Sequence, residues 1–240
     1  MAFQPVNEDH GIARVSVVIT LKDQLKGDFE VMAYAVKKQN DTLVHFAPMI
    51  TQSVKFNESK ISQSEPVQIG FLISDDLNTP TETWRGLNEA NRNVLIYISS
   101  HYDRWKPFFV RFSQVFNDTL AHIERSRVLA IGLEYVDQFT WVGNPNGFSW
   151  SELFKNETDM LSNDFFDHTH LQYSVLRNRS VKKLDNVTEQ LEILRINYDS
   201  ARIRHHVSVL LNHEHLTTTQ PDSKTFFQKL KTSTSLISWS

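Results

Sequence analysis

Two carboxylates, Glu134 and Asp137, lie in the apolar run AIGLEYVDQF at residues 130–139. Paired carboxylates perform general acid/base chemistry when both reach one substrate, roughly 5–10 Å apart. Histidines form a second cluster, as HTH at 168–170, HH at 205–206 and HEH at 213–215. Two imidazoles spaced i, i+2 on a strand share a face, and three such ligands with an open position activate water on zinc. His213 and His215 make the best pair, with His168 and His170 as further ligands. No H-E-x-x-H or other hydrolytic spacing accompanies them. A third group is basic: RNRSVKK at 177–183 carries Arg177, Arg179, Lys182 and Lys183, with Arg195, Arg202 and Arg204 further on. Tyr173, Tyr198 and the nearby histidines complete a set able to contact nucleic-acid phosphates.

Strand geometry tests the first of these. Side chains alternate across a strand, so Leu129, Ile131, Leu133, Tyr135, Asp137, Phe139 and Trp141 take one face and Glu134 the other. The two carboxylates diverge, and an acid/base pair is excluded without a bulge. Asp137 is then a carboxylate among large apolar residues and needs a partner. Arg104, Arg111 and Arg177 are the candidates. Asp137, with Tyr135 and Trp105, is read as a structural polar node or the anchor of a ligand pocket. Gly132 beside Ala130 marks a close approach of another backbone or helix. Walker loops, dinucleotide fingerprints and G-x-S-x-G elbows do not occur.

The elements that must position these residues read as follows. Residues 14–21, 29–37 and 42–46 are strands, the last two forming a hairpin, and residues 93–99 and 128–141 are strands too. Between 93–99 and 128–141 lies a helix over 104–124, with apolar positions Trp105, Phe108, Phe109, Phe112, Val115, Phe116 and Ile123 on one stripe. Asp103 is its N-cap candidate. Residues 75–89 read as a loop and 181–190 as a polar turn. After the break GNPNG at 143–147 come a short helix at 149–154 and strands at 170–176, 192–198 and 205–213. A C-terminal helix starts near Ser223. A soft domain boundary is placed at this break, giving an N-terminal region of residues 1–142 and a strand-rich C-terminal region of residues 143–240, with one continuous domain as the alternative. The fold expected is α+β, an antiparallel-rich sheet or sheets packed by one long amphipathic helix and the C-terminal helix.

Composition narrows the classes. A net charge of −3 over 240 residues supplies no global attraction to nucleic acid or anionic lipid. The absence of cysteine removes disulfides, thiolate metal sites and cysteine nucleophiles. The first residues lack the basic and apolar regions of a signal peptide, and no window reaches the roughly 20 apolar residues of a membrane span. Sixteen phenylalanines against seven glycines indicate heavy aromatic packing or an apolar cavity.

The stretch YDRWKPFFVRFSQVFNDTLAHIE, then VLAIGLEYVDQFTW, SELF and DFFDHTHLQY, resembles a sporadically distributed family of uncharacterised prokaryotic proteins. That family is marked by an aromatic amphipathic helix and a strand of type G-L-x-Y-x-[ND]-x-[FI]. The matching positions are Tyr102, Trp105, Gly132, Leu133, Tyr135, Asp137 and Phe139, and the likeness runs over residues 94–173. The position of Asp137 is often asparagine there, which accepts hydrogen bonds but does no acid/base work. The resemblance implies no activity. It implies a setting, since members tend to lie in variable genomic regions where phage-defence systems are common. The expectation is a cytoplasmic, non-enzymatic recognition or adaptor protein, without cofactor, serving as sensor or accessory component beside a separate effector protein. A homo-oligomer is compatible with it. The alternatives are a metal-dependent hydrolase using the histidines, and a nucleic-acid- or lipid-binding protein.

Overall fold

Alternating apolar and polar residues run through most of the chain, and the backbone answers with strands. The structure is a computed structural model that describes residues 3–7, 10–25, 29–57, 60–89, 92–120, 128–144, 175–184, 187–196 and 200–210. Its elements are β1 (Phe3–Pro5), β2 (Ile12–Leu21), α1 (Phe29–Gln39), β3 (His45–Thr51), β4 (Val54–Asn57), β5 (Lys60–Gln63), β6 (Val67–Ser74), β7 (Glu82–Glu89), β8 (Arg92–Ser99), α2 (Trp105–Leu120), β9 (Val128–Trp141), β10 (Val175–Leu184), β11 (Val187–Ile196) and β12 (Ser200–Leu210). The fold is α+β and mostly sheet, with antiparallel pairing throughout the β3–β6–β7–β8 and β10–β11–β12 series.

The chain divides into two compact units, Met1–Ser16 with Gly132–Ser240, and Val17–Ile131. The sequence break after residue 142 led to a different boundary. Glycine and proline punctuation reports where the chain turns, whereas the units follow which strands pair. Each boundary falls inside a strand, β2 and β9, so no linker composition marks it.

In the Val17–Ile131 unit, strands lie in the order β2, β8, β7, β6, β3. The loop expected over 75–89 is instead the connection to β7 and β7 itself, paired on both sides. Its inward positions are Glu82, Trp84 and Gly86, a period of two hidden by a charge and a glycine. Gly70 is the Cα partner of Leu87, and a Cβ on Gly70 would collide with the carbonyl oxygen of the adjoining Gly86. The strand expected at 29–37 is helix α1, so the hairpin to 42–46 does not form. Phe29, Val31, Ala33 and Ala35 alternate, but Met32, Ala33 and Val36 are the buried residues, while Val31 is 52% and Tyr34 68% exposed. Glu30 in the first turn and Lys37 and Lys38 in the last suit the helix dipole. Asn40 ends the helix by donating to the Val36 carbonyl at 2.7 Å.

Of the helix expected over 104–124, α2 covers Trp105–Leu120, with residues 121–124 outside the described residues, and Phe108, Phe112, Val115 and Thr119 are buried. Phe112 stacks on Phe116 at 5.6 Å, Tyr97 lies 5.7 Å from Phe112, and Trp84 meets Phe116 edge-on at 6.4 Å. Burial of each such ring contributes about 1.5–3 kcal/mol, which makes the aromatic cluster the main anchor of α2 on this sheet.

In the other unit, strands follow the order β10, β11, β12, β9, β2, with β1 paired to β9. The polar turn expected at 181–190 is two strands: β10 and β11 pair from Val175↔Ile196 to Leu184↔Val187, leaving two residues between them. Polar residues persist there because one side of the hairpin does not face the core. The described parts of the strands expected at 170–176, 192–198 and 205–213 lie in β10, β11 and β12, and residues 170–174, 197–198 and 211–213 lie outside the described residues, as do the helices expected at 149–154 and from Ser223. In this unit a Cβ on Gly11 would strike the Phe139 ring and one on Gly143 the Trp141 ring. Phe3 packs edge-on to Trp141 at 4.9 Å.

Candidate functional site

On the polar side of the β9-containing unit, four charges from four strands interlock. Arg14 on β2 donates from Nη2 to Glu134 Oε1 on β9 at 3.0 Å. Ser16 Oγ reaches the same oxygen at 3.4 Å. Arg204 on β12 lies 3.6 Å from Glu134 Oε2 through Nε and donates from Nη1 to Glu192 Oε2 on β11 at 3.2 Å. Register continues the series, since Arg179 of β10 is the Cα partner of Glu192. The order of positions across five adjacent strands is therefore Arg14, Glu134, Arg204, Glu192, Arg179, with alternating charge. Glu134 and Glu192 keep 20% and 12% of their side-chain surface, and Arg14 and Arg204 keep 38% and 42%. Pairs this exposed contribute about 0–1 kcal/mol each. Their main effect is to hold long side chains in one arrangement.

Glu134 is thus a bridge between two arginines. Asp137, three residues on, has a different environment. Burial pushes its carboxyl up to about 6, and the nearby charge of His10 draws it back by less. Among the described residues no hydrogen bond reaches the Asp137 carboxylate. Of the arginine partners expected for it, the Arg177 side chain lies outside what the structure describes, and Arg111 belongs to the other unit and is engaged with Glu82. Arg104 lies in that unit too, exposed at the start of α2. The charged neighbour is His10, whose Nδ1 accepts from the Ile12 N–H at 3.1 Å. Glu134 and Asp137 share no partner, as the strand alternation requires.

The Val17–Ile131 unit contains a buried polar node. Arg111 of α2 grips Glu82 of β7 with two bonds, Nε to Oε1 at 2.7 Å and Nη2 to Oε2 at 3.0 Å. Tyr97 donates to Glu82 Oε1 at 2.7 Å and Thr42 to Oε2 at 2.9 Å. Arg111 Nη1 donates to Asn40 Oδ1 at 2.5 Å, and Asn40 in turn donates to Asp118 at 3.1 Å. Burial, then the Glu82 charge, raises the Tyr97 phenol well above its ordinary range, so it stays a donor. The node opens on a cavity of about 490 Å³ lined by Asp41, Thr42, Asp75, Ser99, His101 and Arg111. Asp75 is a turn residue: its carboxylate accepts from the Thr81 and Glu82 N–H groups at 3.0 and 2.9 Å and from the Thr81 hydroxyl. Burial opposes ionisation there, but these bonds outweigh it and hold the carboxyl below its usual value. The cavity's cation and its buried carboxylate are spent on each other.

The residues singled out from sequence therefore scatter. Asp137 and half-buried Tyr135 sit two apart on β9, while Trp105 opens α2 in the other unit, stacked on Phe109 at 5.9 Å. Arg177, Arg179, Lys182 and Lys183 are on β10, opposite Leu194, Glu192, Glu189 and Thr188. His168, His170, His213 and His215 lie outside the described residues. Among the described residues no group of three or more metal-ligating side chains comes together, and no helix is long and apolar enough to cross a membrane. The charge series of Arg14, Glu134, Arg204 and Glu192 was missed as a unit. Its local trace is R-x-R at 177–179 and 202–204, with Glu134 in β9 and Glu189 and Glu192 in β11.

Beside known proteins, the chain matches no family model and no curated protein.

Proposed function

We propose that the chain is a non-enzymatic recognition protein of a bacterial phage-defence system, working in the cytoplasm with a separate effector protein. The observation that supports this reading is the polar sheet side on which Arg14, Glu134, Arg204 and Glu192 hold one another in place. A surface of preset charged side chains costs little ordering entropy when a partner docks. The carboxylates that sequence reasoning weighed for catalysis are occupied or apart: Glu134 holds two arginines, and Asp137 faces elsewhere. The family resemblance over residues 94–173 supplies the biological setting.

Phage challenge tests it. A host carrying the gene with its genomic neighbours is compared with one lacking only this chain. Loss of protection, restored by the wild-type chain and not by an Arg14→Ala/Arg204→Ala variant, is the expected result. Unchanged plaquing after deletion sinks the defence role. Turnover by the purified chain alone sinks the non-enzymatic one.

A further inference from the structure

We propose that the polar side of β10–β12 binds nucleic acid through its phosphates. The inference rests on the recognition reading and names its partner. These three strands carry seven cations (Arg177, Arg179, Lys182, Lys183, Arg195, Arg202, Arg204) against two carboxylates (Glu189, Glu192), a local balance of +5 in a chain whose total is −3. The charge is therefore segregated, and the rest of the chain is acidic. A cationic patch on an acidic protein draws a polyanion to one place and repels it elsewhere.

Register sorts the positions into two sides. One set of rows runs Arg177–Leu194–Arg202, Arg179–Glu192–Arg204, Val181–Gln190–His206 and Lys183–Thr188–Ser208. The intervening rows pass through Leu191 and Ile193, which are buried. Five of the seven cations occupy the first set. Arg202 and Lys183 are exposed, and among the described residues neither has an ion-pair partner. Arg204, already braced by Glu134 and Glu192, stands between them and the Arg14 end. Thr188 and Ser208 are half-buried in the same rows and add neutral hydroxyl groups beside the charges.

The arrangement favours phosphates over an acidic protein surface. Arg177 and Arg179 on β10 and Arg202 and Arg204 on β12 stand two residues apart, about 6.6 Å along each strand, and Lys183 lies two such steps beyond Arg179. Cations spaced in rows over several strands suit a chain of phosphates. No phenylalanine, tyrosine or tryptophan occurs in β10, β11 or β12, and the rings there are the imidazoles of His205 and His206, so charge rather than base stacking dominates what these strands offer. Binding through them is then independent of base sequence and steep in salt.

Anisotropy with fluorescent duplex DNA and single-stranded DNA of two unrelated sequences tests this on the full chain across a salt series. The expected result is binding that is equal for both sequences and falls with salt. Arg202→Ala/Lys183→Ala should weaken it about tenfold and lower the salt slope by about two. Both sites are exposed, and an unchanged melting temperature confirms the fold. No binding at the lowest salt overturns the proposal, as does binding that the double variant leaves intact. Equal affinity for poly-glutamate overturns the assignment to nucleic acid. The phage assay separates the two readings, because protection that persists in the double variant but is lost on deletion of the chain leaves recognition standing and removes this ligand.

Discussion

Replacing Asp137 with asparagine should stabilise the protein, and the gain should depend on pH. Burial raises the folded-state carboxyl from 3.8 to about 6, so the folded chain holds this proton more tightly than the unfolded one. Stability from this group is complete below the unfolded value and declines as pH rises through the folded one. A shift of this size corresponds to about 3 kcal/mol at 1.36 kcal/mol per unit. Asp137 retains some surface, and solvent screens it, so the expected cost at pH 7 is about 1–2 kcal/mol. Asparagine carries no charge at any of these values. The Asp137→Asn variant should differ little from wild type near pH 4, gain between pH 4 and 6, and hold a constant advantage above pH 6.5. Urea titrations of both proteins at matched pH measure it, and titrating groups that do not interact with Asp137 cancel in the difference. A pH-independent difference, or a wild type more stable than the variant at pH 7, refutes the reasoning. The first outcome would mean that the carboxylate is solvated in the folded state. The second would mean that it is paired.

Other perturbations probe the remaining features. Glu82→Gln removes the charge that Arg111 and Tyr97 share and should cost about 3 kcal/mol, read as a lower urea midpoint with an unchanged m-value. Gly70→Ala pushes a methyl group into the Gly86 carbonyl and should cost about 1–3 kcal/mol, visible in a thermal melt. Glu134→Gln loosens Arg14 and Arg204 and should cost about 1 kcal/mol in low salt, less at about 1 M salt where exposed pairs are screened. A salt-independent loss would mean that Glu134 acts through packing.

How much was legible follows from the range over which each signal acts. Helix α2 and strands β8 and β9 were readable because their patterns are local and long. The alternation around Asp137 correctly separated it from Glu134 without any coordinates. Helix α1 was lost to a coincidence: Phe29, Val31, Ala33 and Ala35 satisfy a period of two, while Phe29, Met32, Ala33 and Val36 satisfy the helical period of 3.6 equally well. Packing decided between them, since the exposed sides of Val31 and Tyr34 fit a helix lying on α2 and β6. Strand β7 was lost because its inward positions include Glu82, a residue that reads as surface until Arg111 is known to face it. That knowledge is not local, as the two are 29 residues apart. The same limit is stronger for the charged side of β9, where residues 14, 134, 192 and 204 meet. Each is an ordinary charge in its own strand, and the series exists only once strand order and register are set. Register is dictated by the opposite side of the sheet, where residues such as Leu191 and Ile193 must be buried. The apolar pattern thus positions the charges indirectly. A one-residue slip of β12 would bury Arg204 and break the series at its centre.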